Sequence, residues 1–225
     1  TLLQGGFAQI AGSDYDFAAV RSLQNGDFDE QGFGAATYAF DIAGSNKNDR
    51  VRAMLIDPQG RVLIAGEAAR GANGTDTDIA LVRLKSNLAP DPDFGTNGRL
   101  VISYDIFNQT ARDELGGIAV APDGKILVVG THFPGDAANV SDVALVRLED
   151  DGDADFAFGT FGREFYDFGN GATQKDVGVD VVVTDSRVVV LSQREFDGAD
   201  TDFVVFGVVN TVPPKPDPLF KNGFE

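Results

Sequence analysis

The densest group of oxygen ligands in this sequence lies at residues 150–155. Within it Asp151, Asp153 and Asp155 alternate with other residues, as the acids of an oxygen-ligand calcium loop do. Such a loop normally has a glycine after the third acid and a glutamate at its twelfth position. Here Phe156 follows the third acid, and the glutamate is absent. The spacing therefore predicts either a calcium site or a solvated turn, and no other cofactor is expected.

The remaining residues give little support to catalysis. His132 is the single histidine and the chain has no cysteine, which disfavours a zinc site and a histidine-based triad. The sequence contains no phosphate-binding glycine loop, no dinucleotide fingerprint and no nucleophile elbow. We therefore predict that the protein is not an enzyme, and no catalytic residue is assigned.

The composition narrows the class of partner. Thirty-five acids face eighteen bases, which gives a formal net charge of −17. A field this negative repels nucleic acid and anionic membranes, and no apolar run of eighteen residues is present to insert into a bilayer. Aspartate, which favours turns, outnumbers glutamate by 28 to 7. Together with 27 glycines, this ratio predicts many turns and few helices.

The elements that position these residues follow from an internal repeat of about sixty residues. The segment DIALVR at 78–83 returns as DVALVR at 142–147, with looser copies at 16–21 and 202–207. A residue that serves every repeat is structural. We expect the aspartate to bond backbone at a strand start, the arginine to reach a neighbouring loop, and a loop phenylalanine to fill the gap between repeats. The repeated residues are Asp16, Asp78, Asp142, Asp202, Arg21, Arg83, Arg147, Phe94, Gly95, Phe158 and Gly159.

Each full repeat predicts four strands joined by turns. In the second repeat these are 51–56, 61–66, 78–84 and 98–104, with the Pro-containing turn 57–60 between the first two. We divide the chain into units 1–48, 49–112, 113–174 and 175–210, followed by a Pro-rich tail at 211–225. The first and last units each lack a strand, so fourteen strands are expected.

Small four-stranded antiparallel sheets have two faces to bury, and stacking the sheets around an axis buries both. The predicted fold class is therefore all-β, a β-propeller or propeller arc of about four blades. A β-sandwich is the alternative, but it does not explain the sixty-residue period. Because the end units are incomplete, we expect residues upstream, another chain, or a compact closure of the blades to complete the ring.

Three segments, 122–130, 142–148 and 155–162, resemble the bacterial repeat described as a delta-60 repeat. The second unit carries the same pattern at 57–66, 78–84 and 91–98. This resemblance implies a secreted or surface-exposed bacterial propeller of unknown function, without established catalytic residues. The ending FKNGFE at 220–225 is similar to a C-terminal ending of exported gammaproteobacterial proteins, which implies a Gram-negative source. The alternative is that 217–223 is a copy of the repeat loop that precedes a fourth strand, and the tail is favoured.

The leading functional hypothesis is a non-catalytic module that binds an extracellular protein or glycan through its loops. The loops 67–77 and 131–141 differ between units where the strands do not, and binding residues usually lie on such loops. The candidate contact residues are Tyr104, Phe107, His132, Phe133 and Tyr166.

Two alternatives remain open at this point. One is a structural protein that self-associates through its incomplete end units and is completed by other chains. The other is a carbohydrate-active enzyme that uses paired acids at the propeller channel, which requires two carboxylates about 5–10 Å apart in a pocket.

Overall fold

The part of the chain that the structure describes forms fourteen β-strands in four separate antiparallel sheets and contains no α-helix. The structure is a computed structural model, and it describes residues 1–12, 14–29, 34–42, 48–70, 76–104, 112–134, 140–169, 174–184, 187–196 and 200–209. Within these ranges, no helix has the length and apolar character needed to span a membrane. The predicted all-β class is confirmed, and the alternative of a two-layer sandwich is not.

Each sheet is a meander whose strands pair in chain order. The first sheet contains β1 (Leu2–Ala11), β2 (Asp14–Ser22) and β3 (Ala35–Tyr38). The second contains β4 (Arg50–Ile56), β5 (Val62–Arg70), β6 (Asp76–Leu84) and β7 (Arg99–Ile102). The third contains β8 (Asp113–Val120), β9 (Ile126–His132), β10 (Asp142–Leu148) and β11 (Arg163–Tyr166). The fourth contains β12 (Asp176–Val183), β13 (Arg187–Phe196) and β14 (Asp200–Val209).

The sequence defines the hairpins through their turn residues. Between β4 and β5, Gly60 donates its N–H to the Asp57 carbonyl at 2.9 Å and adopts a φ of 79°. Between β8 and β9, Gly124 does the same toward Ala121 at 2.9 Å, with a φ of 93°. Glycine reaches this left-handed region without steric cost, so these turns close tightly.

Along each strand, side chains point alternately to the two faces of the sheet, and each face packs against a different neighbouring sheet. We call the side that faces the next sheet in the chain the leading face, and the opposite side the trailing face. Phe17 and Ala19, on the leading face of the first sheet, are buried together with Val62 and Ile64 of the second. Two further buried clusters join the second sheet to the third and the third to the fourth. Sheets that stack one against the next in chain order are the blades of a propeller.

The second and third strands of a blade run further than the sequence pattern predicts. The prediction ended β5 at Gly66 and placed 67–77 in a loop, but the strand continues to Arg70, and Ala69 pairs with Thr77. This part of the loop prediction is wrong because Ala68 and Ala69 are buried against neighbouring side chains, and burial there extends the ladder. Likewise β13, the second strand of the fourth blade, continues to Phe196.

Candidate functional site

In the second and third blades, the arginine at the end of the third strand is buried between a carboxylate and an aromatic ring. Arg83 Nε donates to Asp91 Oδ2 at 2.8 Å, and its guanidinium lies 4.7 Å from the centre of the Phe94 ring. Arg147 repeats both contacts, with Asp155 at 2.6 Å and Phe158 at 4.6 Å. A guanidinium held by a carboxylate and a ring face fixes the loop that follows the strand.

The same arginines also connect one blade to the next. Arg21 Nη1 donates to the Ser86 carbonyl at 2.5 Å, and Arg83 Nη1 donates to the Asp150 carbonyl in the following blade. Arg61 adds an ion pair with the Asp150 carboxylate, whose hydrogen bond from Arg61 lowers the pKa of Asp150. We call this side of the blades the arginine end.

The candidate calcium residues lie at the arginine end. Asp155 is buried between Arg147 and Lys125, whose ammonium nitrogen lies 3.0 Å from its carboxylate. Asp151 Oδ1 accepts the backbone N–H of Asp153 at 3.0 Å, and Asp153 is exposed. Within the described ranges, no three carboxylate or imidazole side chains are grouped so that they can hold one metal ion.

A second set of repeated acids lies at the opposite end of the blades, which we call the aspartate end. Asp49, Asp113 and Asp176 precede or begin the first strand of a blade, and all three are buried. Each accepts the N–H of an aromatic residue that follows the fourth strand of the previous blade: Phe40 at 2.9 Å, Tyr104 at 2.7 Å and Phe168 at 2.7 Å. The period of these aspartates is visible in the sequence, but our sequence analysis did not single them out.

Burial at the aspartate end shifts the acids toward their protonated forms. Burial raises the pKa of Asp49 to about 6. Burial also raises the pKa of Asp78 to about 6, against the opposing charge of Arg70, whose Nη2 lies 2.7 Å from Asp78 Oδ2. For Asp16 and Asp142 the pKa shift has the same direction and the same main cause. Asp202, in the same repeat position, is exposed.

We predict that acidification stabilises the fold. An aspartate that titrates near 6 in the folded chain titrates near 3.9 when unfolded, so the folded state binds extra protons between these values. Stability is therefore gained as the pH falls from 7.5 to 5.5, by about 1 kcal/mol per group. For Asp49 and Asp78 together, the melting temperature should rise by about 3–6 °C.

Differential scanning calorimetry at the two pH values measures this gain. The variant Asp78→Asn should reduce it, while Asp202→Asn, at the exposed equivalent position, should leave it unchanged. A melting temperature that falls between pH 7.5 and pH 5.5 would contradict the burial argument.

Three of the predicted contact residues, Tyr104, His132 and Phe133, lie close together, but Tyr104 and Phe133 are buried. Tyr104 is fully buried, and its ring packs edge-on against His132 and Phe165, so it offers no surface to a partner. His132 Nδ1 lies 3.0 Å from Asp113 Oδ1. Phe133 is buried beneath the guanidinium of Arg112, 4.1 Å from its ring centre. Phe107 lies outside the described residues.

Tyr166 is the predicted contact residue that lines an open cavity. A cleft of about 850 Å³ runs along β11, the outer edge strand of the third blade. Tyr166 donates its hydroxyl to Glu164, and its ring lies 4.5 Å from that of Phe206 on β14. Burial and the Glu164 carboxylate raise the pKa of Tyr166. We call this cavity the β11 cleft; its described lining residues are Gly159, Thr160, Phe161, Arg163, Glu164, Phe165 and Tyr166.

At the mouth of the β11 cleft a bulky residue occupies an unfavourable backbone conformation. Phe161 has a φ of 54°, the position at which the preceding blade has Asn97 with a φ of 52°. Asparagine tolerates this region, whereas phenylalanine is held there at a cost of about 1–2 kcal/mol. The Phe161 side chain is nevertheless 70% exposed, and its ring lies 6.1 Å edge-to-face from Phe156, which is 72% exposed. Strain together with an exposed aromatic pair distinguishes this loop from its repeat copy.

The chain matches a known family at two of its repeats. Residues 58–94 and 121–158 match the family described as "Domain of unknown function (DUF5122) beta-propeller". These segments are β-propeller repeats. Each match begins next to the turn between the first two strands of a blade and ends at the loop phenylalanine, Phe94 or Phe158. The propeller predicted from the sequence is thereby confirmed, while the delta-60 name remains a resemblance.

No curated protein matches the chain significantly. Among solved structures, the chain is similar to an endo-arabinase from Bacteroides thetaiotaomicron, at 12% identity and a TM-score of 0.41, covering 92% of this chain and 70% of that one. It is also similar to an alpha-L-arabinofuranosidase from Clostridium thermocellum, at 13% identity and a TM-score of 0.35, covering 92% and 67%. We assign no residue a role from likenesses this distant.

Proposed function

We propose that this propeller is a non-catalytic binding module and that the β11 cleft holds a saccharide chain. The observation that carries the proposal is the exposed, strained Phe161 beside a cleft that also contains Tyr166. Sugar C–H groups pack on aromatic faces because the face of the ring carries partial negative charge. An exposed ring that is held in place at a conformational cost does not stabilise the fold, which favours a role in contact with a partner.

The polar side chains of the cleft suit hydroxyl groups. Glu164 offers carboxylate oxygens that accept hydrogen bonds, and Arg163 offers guanidinium N–H groups that donate them. Two or three polar groups beside aromatic walls are the usual composition of a small-molecule site. With a net charge of −17, the chain favours a neutral or amino-bearing saccharide over a polyanionic one.

Binding is favoured over hydrolysis in this cleft. Two-carboxylate hydrolysis requires a second acid about 5–10 Å from the first. Among the described lining residues, Glu164 is the one carboxylate, and its Oε2 accepts the hydroxyl hydrogen of Tyr166. The buried aspartates of the aspartate end occur at every junction and bond backbone N–H groups, which suits a role in architecture.

The proposal includes a location outside the cell, secreted or on the surface of a Gram-negative bacterium. It rests on the resemblance of the repeats and of the 220–225 ending to exported proteins, and on the acidic composition, which suits solubility outside the cell.

The test is a screen of neutral and amino-bearing oligosaccharides on a glycan array, followed by calorimetric titration of the best one. Replacing Phe161 by alanine should weaken binding about tenfold or more, since one stacked ring contributes at least about 1.4 kcal/mol. Phe28→Ala, which removes another exposed phenylalanine away from the cleft, is the matched control and should bind normally. An empty array, equal binding by both variants, or release of reducing sugar from the ligand would overturn the proposal.

A further inference from the structure

The leading face of the last blade is exposed where every other blade buries the same positions. In the first three blades, the residue after the repeated aspartate of the third strand lies on the leading face and is 0% exposed. These residues are Phe17, Ile79 and Val143. In the fourth blade this position is Phe203, which is 77% exposed. Two residues further, Ala19, Leu81 and Leu145 are again 0% exposed, while Val205 is 66% exposed. Internal blades thus cover this surface completely.

These exposed residues belong to one continuous apolar face. Val205 on β14 pairs with Leu191 on β13, and Val189 pairs with Val182 on β12, so their side chains point to the same side of the sheet. A monomer that leaves such a face in water is prone to associate. The face consists of Val182, Val189, Leu191, Phe203, Val205 and Val209.

The matching half of a junction lies on the first blade. Inside the chain, the leading residues Ile79 and Leu81 are buried in one cluster with Ala144 and Val146 on the trailing face of the next blade. Ala18 and Val20 occupy the corresponding trailing positions in the first blade, but they are only half-buried. Within the part of the chain that the structure describes, β1–β3 make no substantial contact with β12–β14.

We propose that a second copy of this chain covers the face. The leading face of the fourth blade in one copy packs on the trailing face of the first blade in the other copy. The junctions onto the second and third blades show the chemistry that covers a leading face, namely a trailing face with alanine and valine at the positions of Ala18 and Val20. At the junction onto the fourth blade the same positions are Val204 and Phe206. The first blade presents that surface. At the junction between the first and second blades, Phe17 and Ala80 combine a bulky leading residue with a small trailing one, and Phe203 with Ala18 would repeat this combination.

The polar contacts at the arginine end follow the same plan. Gly207 replaces the third-strand arginine in the fourth blade, and the Arg187 guanidinium lies 3.7 Å from where a Cβ of residue 207 would be. Arg187 occupies the repeat position of Arg61, which binds Asp150 in the next blade. In the first blade the acceptor turn has the internal geometry: Leu23 N–H donates to the Asp27 carbonyl at 2.8 Å, as Glu149 does to Asp153 at 2.7 Å.

The two surfaces differ from one another, so the association is head-to-tail. Two copies form two such junctions if the rotation closes, which gives a ring of eight blades, within the known range of about four to eight. A rotation that does not close gives an open filament instead. In either case, each copy uses both surfaces.

Sedimentation velocity over a hundredfold range of concentration measures the assembly. The wild-type chain should form dimers or larger species as the concentration rises. Val205→Arg on the leading face and Ala18→Arg on the trailing face should each remain monomeric at concentrations at least a hundredfold higher. Ile56→Arg, which also adds a charge at an exposed apolar residue but lies in the second blade, should assemble as the wild type does.

Mixing the two variants distinguishes head-to-tail from like-with-like association. In the mixture the intact leading face of Ala18→Arg meets the intact trailing face of Val205→Arg, so heterodimers should form although neither variant associates alone. Circular dichroism verifies that each variant folds, and Leu2→Arg, at a more exposed trailing residue, replaces Ala18→Arg if that variant does not. A monomeric wild type at every concentration, or assembly by Ala18→Arg alone, would overturn the proposal.

Discussion

Replacing Arg83 by alanine should destabilise the protein by about 3–5 kcal/mol, the cost of breaking a buried charge pair by removing one partner. The variant leaves the Asp91 carboxylate without its guanidinium and the Asp150 carbonyl without its donor from the neighbouring blade. It also removes the cation that packs against the Phe94 ring. Because the side chain joins two blades, its loss weakens the junction as well as the loop.

Chemical denaturation followed by circular dichroism measures this loss. Arg21→Ala is the matched control, because Arg21 makes the equivalent contacts to Asp29 and to the Ser86 carbonyl at a more solvent-exposed junction. Water replaces part of those contacts, so the control should lose about 1 kcal/mol. Equal losses for the two variants would mean that burial does not determine the strength of this contact.

Replacing Gly116 by alanine should cost about 3 kcal/mol, because it forces apart two blades at their first strands. A Cβ at residue 116 would lie 2.3 Å from the Gly178 carbonyl oxygen, far inside contact distance. That oxygen belongs to the backbone of β12, which cannot move aside as the end of a flexible side chain can. β8 and β12 therefore approach through a pair of glycines.

Gly6→Ala is the control for this prediction. Gly6 also lies inside a strand, and a Cβ there would meet no atom within 4 Å. Its substitution should change stability by less than about 0.5 kcal/mol, or raise it slightly by restricting the unfolded chain. Thermal unfolding of both variants measures the two changes in stability. An unchanged stability for Gly116→Ala would show that the first strands of the two blades are not in close contact.

Much of the fold was predictable because its determinants are local. The Pro-Gln-Gly and Pro-Asp-Gly turns, the alternation of β-branched residues and the sixty-residue period lie within short windows of sequence. They identified the strands, their pairing in chain order and the four blades. Strand ends such as Arg70 were missed, because the burial of Ala68 depends on contacts with side chains distant in the sequence.

The candidate site was less accessible to sequence reasoning. Tyr104 and Tyr166 are both aromatic residues at the end of a fourth strand, and the sequence ranked them equally. In the folded chain Tyr104 is enclosed by His132 and Phe165, whereas Tyr166 lines an open cleft. The sequence could have identified Phe161, because this phenylalanine occupies a turn position at which the preceding repeat has Asn97.

The sequence by itself determined a repeating, acidic, all-β chain, because turn chemistry and strand alternation act between near neighbours. Only the tertiary structure decided which surfaces of those repeats are covered. Phe203 has the same repeat position as Ile79, yet one is exposed and the other buried, since the next blade covers Ile79 and none covers Phe203 within the described chain. Exposure is a property of the neighbouring sheet, and residues far away in the sequence supply that neighbour.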